Sequence, residues 1–190
     1  MYPNRKYVFI LFLIFCYFIN SSAIKAEESE YKKNNQFVIA RLKYQGGGDW
    51  YNDPSIIPNL SKEFKLRTGI KINTVEKIVD IESSDFFSFP FIFITGHGNI
   101  SFSPAELEKL RIYMENGGFI YCDDDYGMDT YLRREIGKIF PDNKLTEIPF
   151  SHPIYNIFYK FPDGLPKIHE HYPGTPRGYG IFVKGHLVLF

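Results

Sequence analysis

The alternation of apolar and polar residues predicts strands and helices that begin just after residue 36. FVIARLKY (37–44) has the length and composition of a strand, and DPSIIPNLSKEFKLRTGI (53–70) has the apolar spacing of a helix that ends at Gly69. KINTVEKIVDI (71–81) predicts a second strand. FPFIFITG (89–96) predicts a third, apolar almost throughout, as in a central strand covered on both faces. The apolar residues of the helical segment are Ile57, Leu60, Phe64 and Leu66.

The next helix has the clearest boundaries in the chain. Ser103 and Glu106 have the spacing of a capping box, Pro104 suits the first helical position, and Gly117 can end the helix in a left-handed conformation. After it, GFIYCDD (118–124) predicts a fourth strand and MDTYLRREIGKIF (128–140) a third helix that Pro141 stops. The last segment, GYGIFVKGHLVLF (178–190), predicts a hairpin that turns at Lys184-Gly185.

Alternating strands and helices predict an α/β fold with a doubly wound, mainly parallel sheet and a C-terminal β-hairpin, because parallel neighbours need crossover connections. In such a sheet the loops that follow the strands lie on one edge, where ligands bind. Three conspicuous loops fall there: 46–53, 96–99 and 123–127. We expect them to form one pocket. The candidate residues for this pocket are those of the three loops together with Glu170 from a later segment of the chain. They are Gly46, Gly47, Gly48, Asp49, Trp50, Tyr51, Gly96, His97, Gly98, Asp123, Asp124, Tyr126 and Glu170.

The N-terminus has the charged, apolar and small-residue zones of a secretory signal peptide. Arg5 and Lys6 precede an apolar stretch at 7–19 that is shorter than the roughly 20 residues of a spanning helix. We therefore expect a signal peptide at residues 1–26, a flexible lead-in at 27–36 and one domain at 37–190, secreted or periplasmic. Without residues 1–26 the chain has 19 basic and 22 acidic residues, a charge of −3 that predicts no nucleic-acid binding.

The glycine run of YQGGGDWYND (44–53) has three interpretations. A phosphate or nucleotide loop is disfavoured, because the spacing fits neither the dinucleotide nor the Walker pattern and Asp49 would repel a phosphate. The glycines can instead allow a tight turn with positive φ. They can also form a floor that a ligand or another loop approaches closely, with Trp50 and Tyr51 as a flat apolar wall suited to sugar rings.

Three adjacent aspartates, 123–125, end the fourth predicted strand. One of them can cap the following helix while the others are solvated, or Asp123 and Asp124 can form a site for a divalent metal or for acid/base chemistry. The segment KIHEHY (167–172) has two histidines that would share one face if it is extended. The candidate metal ligands are Asp123, Asp124, His97, His152, His169 and His171, with no cofactor established.

Cys122 is the only cysteine after the signal segment, so the mature chain can form no internal disulfide. A nucleophile elbow needs small residues two positions away, whereas Ile120 and Asp124 stand there. Adjacent carboxylates would also raise the pKa of the thiol. A structural cysteine is the favoured interpretation.

Motifs spread over almost the whole chain after residue 36 resemble a bacterial family known as domain of unknown function 4159. They include RLKYQGGGDWYNDP, TGHG, DDDYG, SHPI, GLPKIHEHY and GYGIF. The resemblance implies a class I glutamine amidotransferase-like, flavodoxin-like fold. It also implies a longer C-terminal end, so this chain is open to interpretation as a truncated member.

The amidotransferase triad does not carry over to this sequence. Cys122 lacks the flanking glycines of the elbow, and His152-Pro153 is followed by Ile154 where the motif has glutamate. We therefore expect a non-catalytic domain that binds a ligand or partner, such as a cell-envelope glycan or an envelope protein assembly. Association with an ATPase partner is what the resemblance suggests. The alternative is a metal-dependent hydrolase that uses the aspartates and histidines.

Overall fold

A computed structural model describes residues 36–167 and 174–190. Within these ranges the chain forms seven strands, three α-helices and two short 3-10 turns, at Phe86–Ser88 and Pro153–Tyr155. The helices are α1 (Ile56–Thr68), α2 (Pro104–Glu115) and α3 (Asp129–Ile139). The strands are β1 (Ile39–Lys43), β2 (Lys77–Asp80), β3 (Phe91–His97), β4 (Phe119–Tyr126), β5 (Thr146–Glu147), β6 (Tyr179–Val183) and β7 (His186–Leu189).

The strands form one sheet in the order β2-β1-β3-β4-β7-β6-β5. The first five strands in this order, from β2 to β7, pair in parallel. β6 is antiparallel to both strands beside it, β7 and β5. The predicted α/β class with a mainly parallel sheet is therefore confirmed. The hairpin is confirmed as well, since Val183 pairs with His186 around Lys184 and Gly185, which have φ of 50° and 81°.

The two ends of the sheet are wound in opposite directions. The chain moves from β1 through α1 to β2 on one side, and from β3 through α2 to β4 on the other. Because parallel crossovers are right-handed, α1 and α2 must lie on opposite faces. The main core lies under α2 and α3, where Ala40, Leu42, Ile92, Ile94 and Ile120 pack with Leu110, Met114, Leu132 and Ile136.

The predicted helix boundaries hold for α2. Ser103 accepts a hydrogen bond from the Glu106 amide while the Glu106 carboxylate accepts one from the Ser103 amide, which completes the capping box, and Pro104 is the first helical residue. Gly117 follows the helix with φ of 95°. Nearby side chains satisfy the free backbone amides at the start of α2, and for this reason its boundary can be predicted from the sequence.

Helix α1 ends at Gly69 as predicted, but its buried face differs from the expected one. Ile57 and Ser61 are buried, whereas Leu60 and Leu66 are 40% and 78% exposed. The helix therefore covers the sheet with a narrow stripe. Two of the four apolar residues in the predicted spacing therefore face solvent.

Residues Val38–Phe190 form one compact unit. The predicted signal peptide lies outside the described residues, so its assignment stays a prediction. In the ranges that the structure describes, no helix is long and apolar enough to cross a membrane.

Candidate functional site

The candidate site lies where the sheet changes its winding direction. β1 and β3 are neighbours, and the chain leaves β1 toward α1 on one face and β3 toward α2 on the other. The two departing loops leave a crevice between them, which is the place where open α/β sheets bind ligands. The loop after β1 contains the glycine run, and the loop after β3 contains GHGN.

The glycine run lets these two loops approach each other closely. Gly46 and Gly47 have positive φ, 115° and 91°. A Cβ atom on Gly48 would lie 2.7 Å from the carbonyl oxygens of both His97 and Asn99, and the Gly48 amide donates to the Asn99 oxygen at 2.9 Å. The run therefore serves both as a tight turn and as a floor, and the approaching segment is another loop of the chain.

His97 lies between two carboxylates from different loops. Its Nδ1 is 3.0 Å from Asp49 Oδ2, and its Nε2 is 3.0 Å from Asp125 Oδ2. The His97 amide also donates to Asp49 Oδ1, and Asn52 Nδ2 donates to Asp125 Oδ2 at 2.7 Å. We call Asp49, Asn52, His97 and Asp125 the His97 centre. It links the loop after β1 to the ends of β3 and β4 through side chains that all remain partly accessible.

The charges of the His97 centre favour an imidazolium between carboxylates. The hydrogen bond that His97 donates to Asp49 raises the pKa of the ring above its ordinary value of 6.5. Partial loss of hydration opposes this rise, and the charge of Asp125 adds to it. For Asp49 burial opposes ionisation, but the His97 amide and ring outweigh it and lower the pKa of the carboxyl. When the ring carries both protons, each N–H faces a carboxylate and no lone pair is left for proton abstraction or metal binding.

A buried arginine, which the sequence analysis did not select, fixes the loop after β1. Arg41 is 1% exposed, and its guanidinium donates to the carbonyl oxygens of Trp50, Asn52 and Asp53 at 3.1, 2.7 and 3.0 Å. Its Nε also pairs with Glu76 at 2.5 Å. A charge in the middle of the predicted strand FVIARLKY was the available signal, because a buried charge needs several partners.

The three adjacent aspartates have different roles. Asp125, which was not among the candidate residues, reaches the His97 centre. Asp124 accepts from the amides of Met128 at 2.8 Å and Asp129 at 3.1 Å, so it caps the start of α3 as one interpretation of the sequence expected. Asp123 pairs in register with Thr95; the residue is exposed, yet burial of its carboxyl, followed by the charges of Asp125 and Asp124, raises the pKa.

A family model for the domain of unknown function DUF4159 matches residues 38–190, which is most of the chain. The chain belongs to this family. The match spans every element of the described fold and all four residues of the His97 centre. A search of curated proteins found no match.

In this DUF4159 chain the predicted metal ligands that lie within the described residues do not come together. His152 caps the turn Pro153–Tyr155 and its ring contacts Phe182 of β6, which lies three strands, roughly 14 Å, from β3. Asp124 is engaged with amides at the start of α3. His169, His171 and Glu170 lie outside the described residues. Across residues 36–167 and 174–190, no group of three or more metal-ligand side chains has a suitable arrangement.

The aromatic wall expected in this DUF4159 chain is not flat. The rings of Trp50 and Tyr51 meet edge to face, with centroids 5.6 Å apart and planes at 86°. Trp50 packs against the core, while Tyr51 is 65% exposed. The reason is that the turn at residues 49–52 directs successive side chains to different sides. Tyr51, directly before Asn52 in the chain, therefore offers an exposed ring, and Tyr126, the last residue of β4, is 59% exposed.

Cys122 lies within β4, four residues before the strand ends, and not at a strand-to-helix turn. Burial, and next the carboxyls of Asp123 and Asp124, raise the pKa of its thiol well above the usual value, although the residue retains some exposed surface. A protonated thiol inside a strand is a poor nucleophile. Within the DUF4159 chain the cysteine is a structural residue, as the sequence analysis favoured.

Proposed function

We propose that the chain is an exported, non-catalytic binding domain whose His97 centre takes a neutral or amino-bearing glycan of the cell envelope. Export rests on the composition of residues 1–26, and the binding role rests on the edge of the sheet described above. The proposal keeps the flavodoxin-like, amidotransferase-like scaffold that the family resemblance implies. The observed order of parallel strands, β2-β1-β3-β4-β7, supports it, since flavodoxin-like sheets have the order 2-1-3-4-5.

The observation that carries the proposal is the occupation of both ring nitrogens of His97. A catalytic histidine needs one free nitrogen near the atom whose proton it takes. Here Asp49 and Asp125 lie 3.0 Å from the two nitrogens, and both carboxylates raise the pKa of the ring. The ring therefore acts as a fixed cross-link that orients two carboxylates, which favours binding over acid/base catalysis.

The polar groups of the centre suit a polyhydroxylated ligand. Ionised carboxylates accept hydrogen bonds from hydroxyl groups, and each has lone pairs beyond those that the contacts described above use. The Asn52 amide adds a donor and an acceptor, while the exposed ring of Tyr51 can cover the apolar face of a sugar. Two carboxylates around one imidazolium leave the centre negative. It should consequently disfavour phosphates and acidic glycans.

The surroundings of Cys122 and His152, the two residues compared with the amidotransferase triad, support a binding role. Cys122 is a strand residue with a raised thiol pKa, and His152 contacts Phe182 on a different part of the sheet. Neither occupies the position of a triad member relative to the other. On the proposed scaffold the triad positions have therefore become structural.

The test measures binding of neutral and amino-bearing envelope oligosaccharides to the purified chain by calorimetry, with acidic peptidoglycan fragments as ligands that should bind more weakly. Asp125→Asn keeps the shape of the side chain but removes its charge, and we expect about tenfold weaker binding. Tyr51→Ala should give a similar loss through its missing ring contact. Asp142→Asn, an exposed aspartate in the turn after α3, is the matched control and should leave binding unchanged.

Two outcomes would contradict the proposal. One is the lack of measurable binding by the unmodified chain to any of these oligosaccharides. The other is a thermal shift on adding zinc or manganese that Asp125→Asn abolishes, because the carboxylates would then act as metal ligands, as in the metal-dependent hydrolase alternative.

A further inference from the structure

Exposed apolar residues follow one another in a loop far from the His97 centre. Ile157, Phe158 and Tyr159 are consecutive and are 85%, 56% and 43% exposed. The Tyr159 hydroxyl accepts a hydrogen bond from Arg67 at 2.6 Å, which places the loop beside the end of α1, where Leu66 is 78% exposed. We call these five residues, together with Lys160, the basal patch. Such a cluster is unusual on a free surface and indicates an interaction.

The basal patch lies at the edge of the sheet opposite the His97 centre. Helix α1 connects the parallel strands β1 and β2, so it runs back to the edge where those strands begin. Arg67 stands at the returning end of α1, whereas Asp49 and Asn52 follow the far end of β1. The two surfaces therefore face in roughly opposite directions along the strands.

The charge around the basal patch is positive. Residues 62–71 and 157–163 contain five basic side chains against two acidic ones, a formal charge of +3, although the mature chain as a whole is negative. Lys160 follows the apolar residues directly, and its Nζ bonds back to the Asn156 carbonyl at 3.0 Å, so its charge stays next to the loop. The basic side chains are Lys62, Lys65, Arg67, Lys71 and Lys160, and the acidic ones are Glu63 and Asp163.

We infer that the basal patch docks the domain on an anionic membrane surface. Apolar residues at the tip of a loop can enter the interfacial region, Tyr159 suits the headgroup level, and lysines gain from anionic lipid. The cores of protein interfaces, in contrast, are depleted in lysine. Docking in this orientation turns the His97 centre away from the bilayer, where it can reach an envelope ligand.

The test uses tryptophan fluorescence of the full chain with phosphatidylglycerol vesicles whose acyl chains are brominated. The chain has one tryptophan, Trp50, at the opposite edge. Phe158→Trp adds a tryptophan in the loop, and the brominated acyl chains should quench its emission. The control Tyr51→Trp adds a tryptophan of similar exposure at the opposite edge, and its emission should not be quenched. Because both chains share the N-terminal apolar stretch, a difference between them reports the contact of the loop and not simple tethering.

A charge variant tests the lipid requirement. Lys160→Glu in the Phe158→Trp chain should raise the lipid concentration for half-maximal quenching about tenfold. Lys43→Glu changes an exposed lysine at the end of β1 and should leave this concentration unchanged. Equal quenching of the Phe158 and Tyr51 variants, or quenching of neither, would overturn the inference. So would a concentration-dependent dimer that Ile157→Ser dissociates, because a second copy of the chain would then cover the patch.

Discussion

The loop after β1 is held at two places that differ in burial. At its base, the fully buried Arg41 donates to three loop carbonyls and to Glu76. At its tip, Asp49 contacts His97, whose side chain is 44% exposed. Removing one partner of a buried charge lowers the free energy of unfolding strongly, whereas ion pairs exposed to solvent contribute little to it. The base therefore determines the conformation of the loop, and the tip determines its chemistry.

This difference separates stability from function within one short segment. Substitutions at the base should change the free energy of unfolding and displace the whole loop. Substitutions at the tip should leave the fold intact and change what the site binds. Variants of the two places, each with a control outside the loop, can measure whether the division holds.

The largest effect is expected for Arg41→Met, which keeps the length of the side chain but removes its donors. Three carbonyls and Glu76 would lose their partner, and we expect a loss of about 3 kcal/mol in the free energy of unfolding, measured by denaturant titration. Trp50 emission should also shift, because the Trp50 carbonyl is one of the acceptors.

Arg111→Met is the matched control for this prediction. Arg111 pairs with Glu108 on the exposed side of α2, where its side chain is 44% exposed, so its removal should change stability by no more than about 0.5 kcal/mol. Equal losses from the two arginines would show that burial does not distinguish them.

The second prediction concerns the contact between the loops after β1 and β3. A Cβ atom at Gly48 would overlap backbone oxygens of His97 and Asn99 at 2.7 Å, so Gly48→Ala should cost about 2 kcal/mol as the loops separate. Gly137→Ala in α3 is the control, since its Cβ would meet nothing within 4 Å.

The control should have the opposite sign. Alanine at an exposed helix position is favoured over glycine, so we expect Gly137→Ala to stabilise the chain by about 0.5–1 kcal/mol. Thermal unfolding of both variants measures the difference. If Gly48→Ala were neutral, the loops would not be in the close contact described here.

The sequence was sufficient for the parts of the fold that local chemistry determines. The capping box at Ser103 and Glu106, the stop at Gly69 and the hairpin at Lys184-Gly185 all depend on neighbouring residues, and all three were predicted correctly. Strand alternation with helices was also sufficient for the parallel sheet. β5, with only two residues, was missed because so short a strand has no period to detect.

The candidate site was predictable in position but only partly in composition. Parallel strand ends meet at one edge, so the loops with Asp49 and His97 were expected to be neighbours. A register shift between β3 and β4 decides which of the three adjacent aspartates reaches His97. Gly96 pairs with Asp124 and His97 pairs with Tyr126, so the register skips Asp125. Arg41 was missed because its partners are loop carbonyls, which no side-chain motif records.

The smallest effect is expected at the exposed tip, as a dependence of stability on pH. The pKa of His97 is raised in the folded chain, so its stabilising contribution is complete below its ordinary value of 6.5 and is lost as pH rises through the folded value. The pKa of Asp49 is lowered, so its contribution is present above 3.8 and is lost as pH falls through its folded value. The network is therefore strongest at mildly acidic pH.

We expect the slope of unfolding free energy against pH above 6.5 to decrease in His97→Gln, with a total difference below about 1 kcal/mol because the pair is exposed. His186→Gln, an exposed histidine in the hairpin, is the control and should keep the slope of the unmodified chain. Urea titrations at several pH values measure it. A slope that His97→Gln does not change would mean that the two carboxylates do not hold the imidazolium, and the tip would then lack the fixed orientation on which the proposed binding depends.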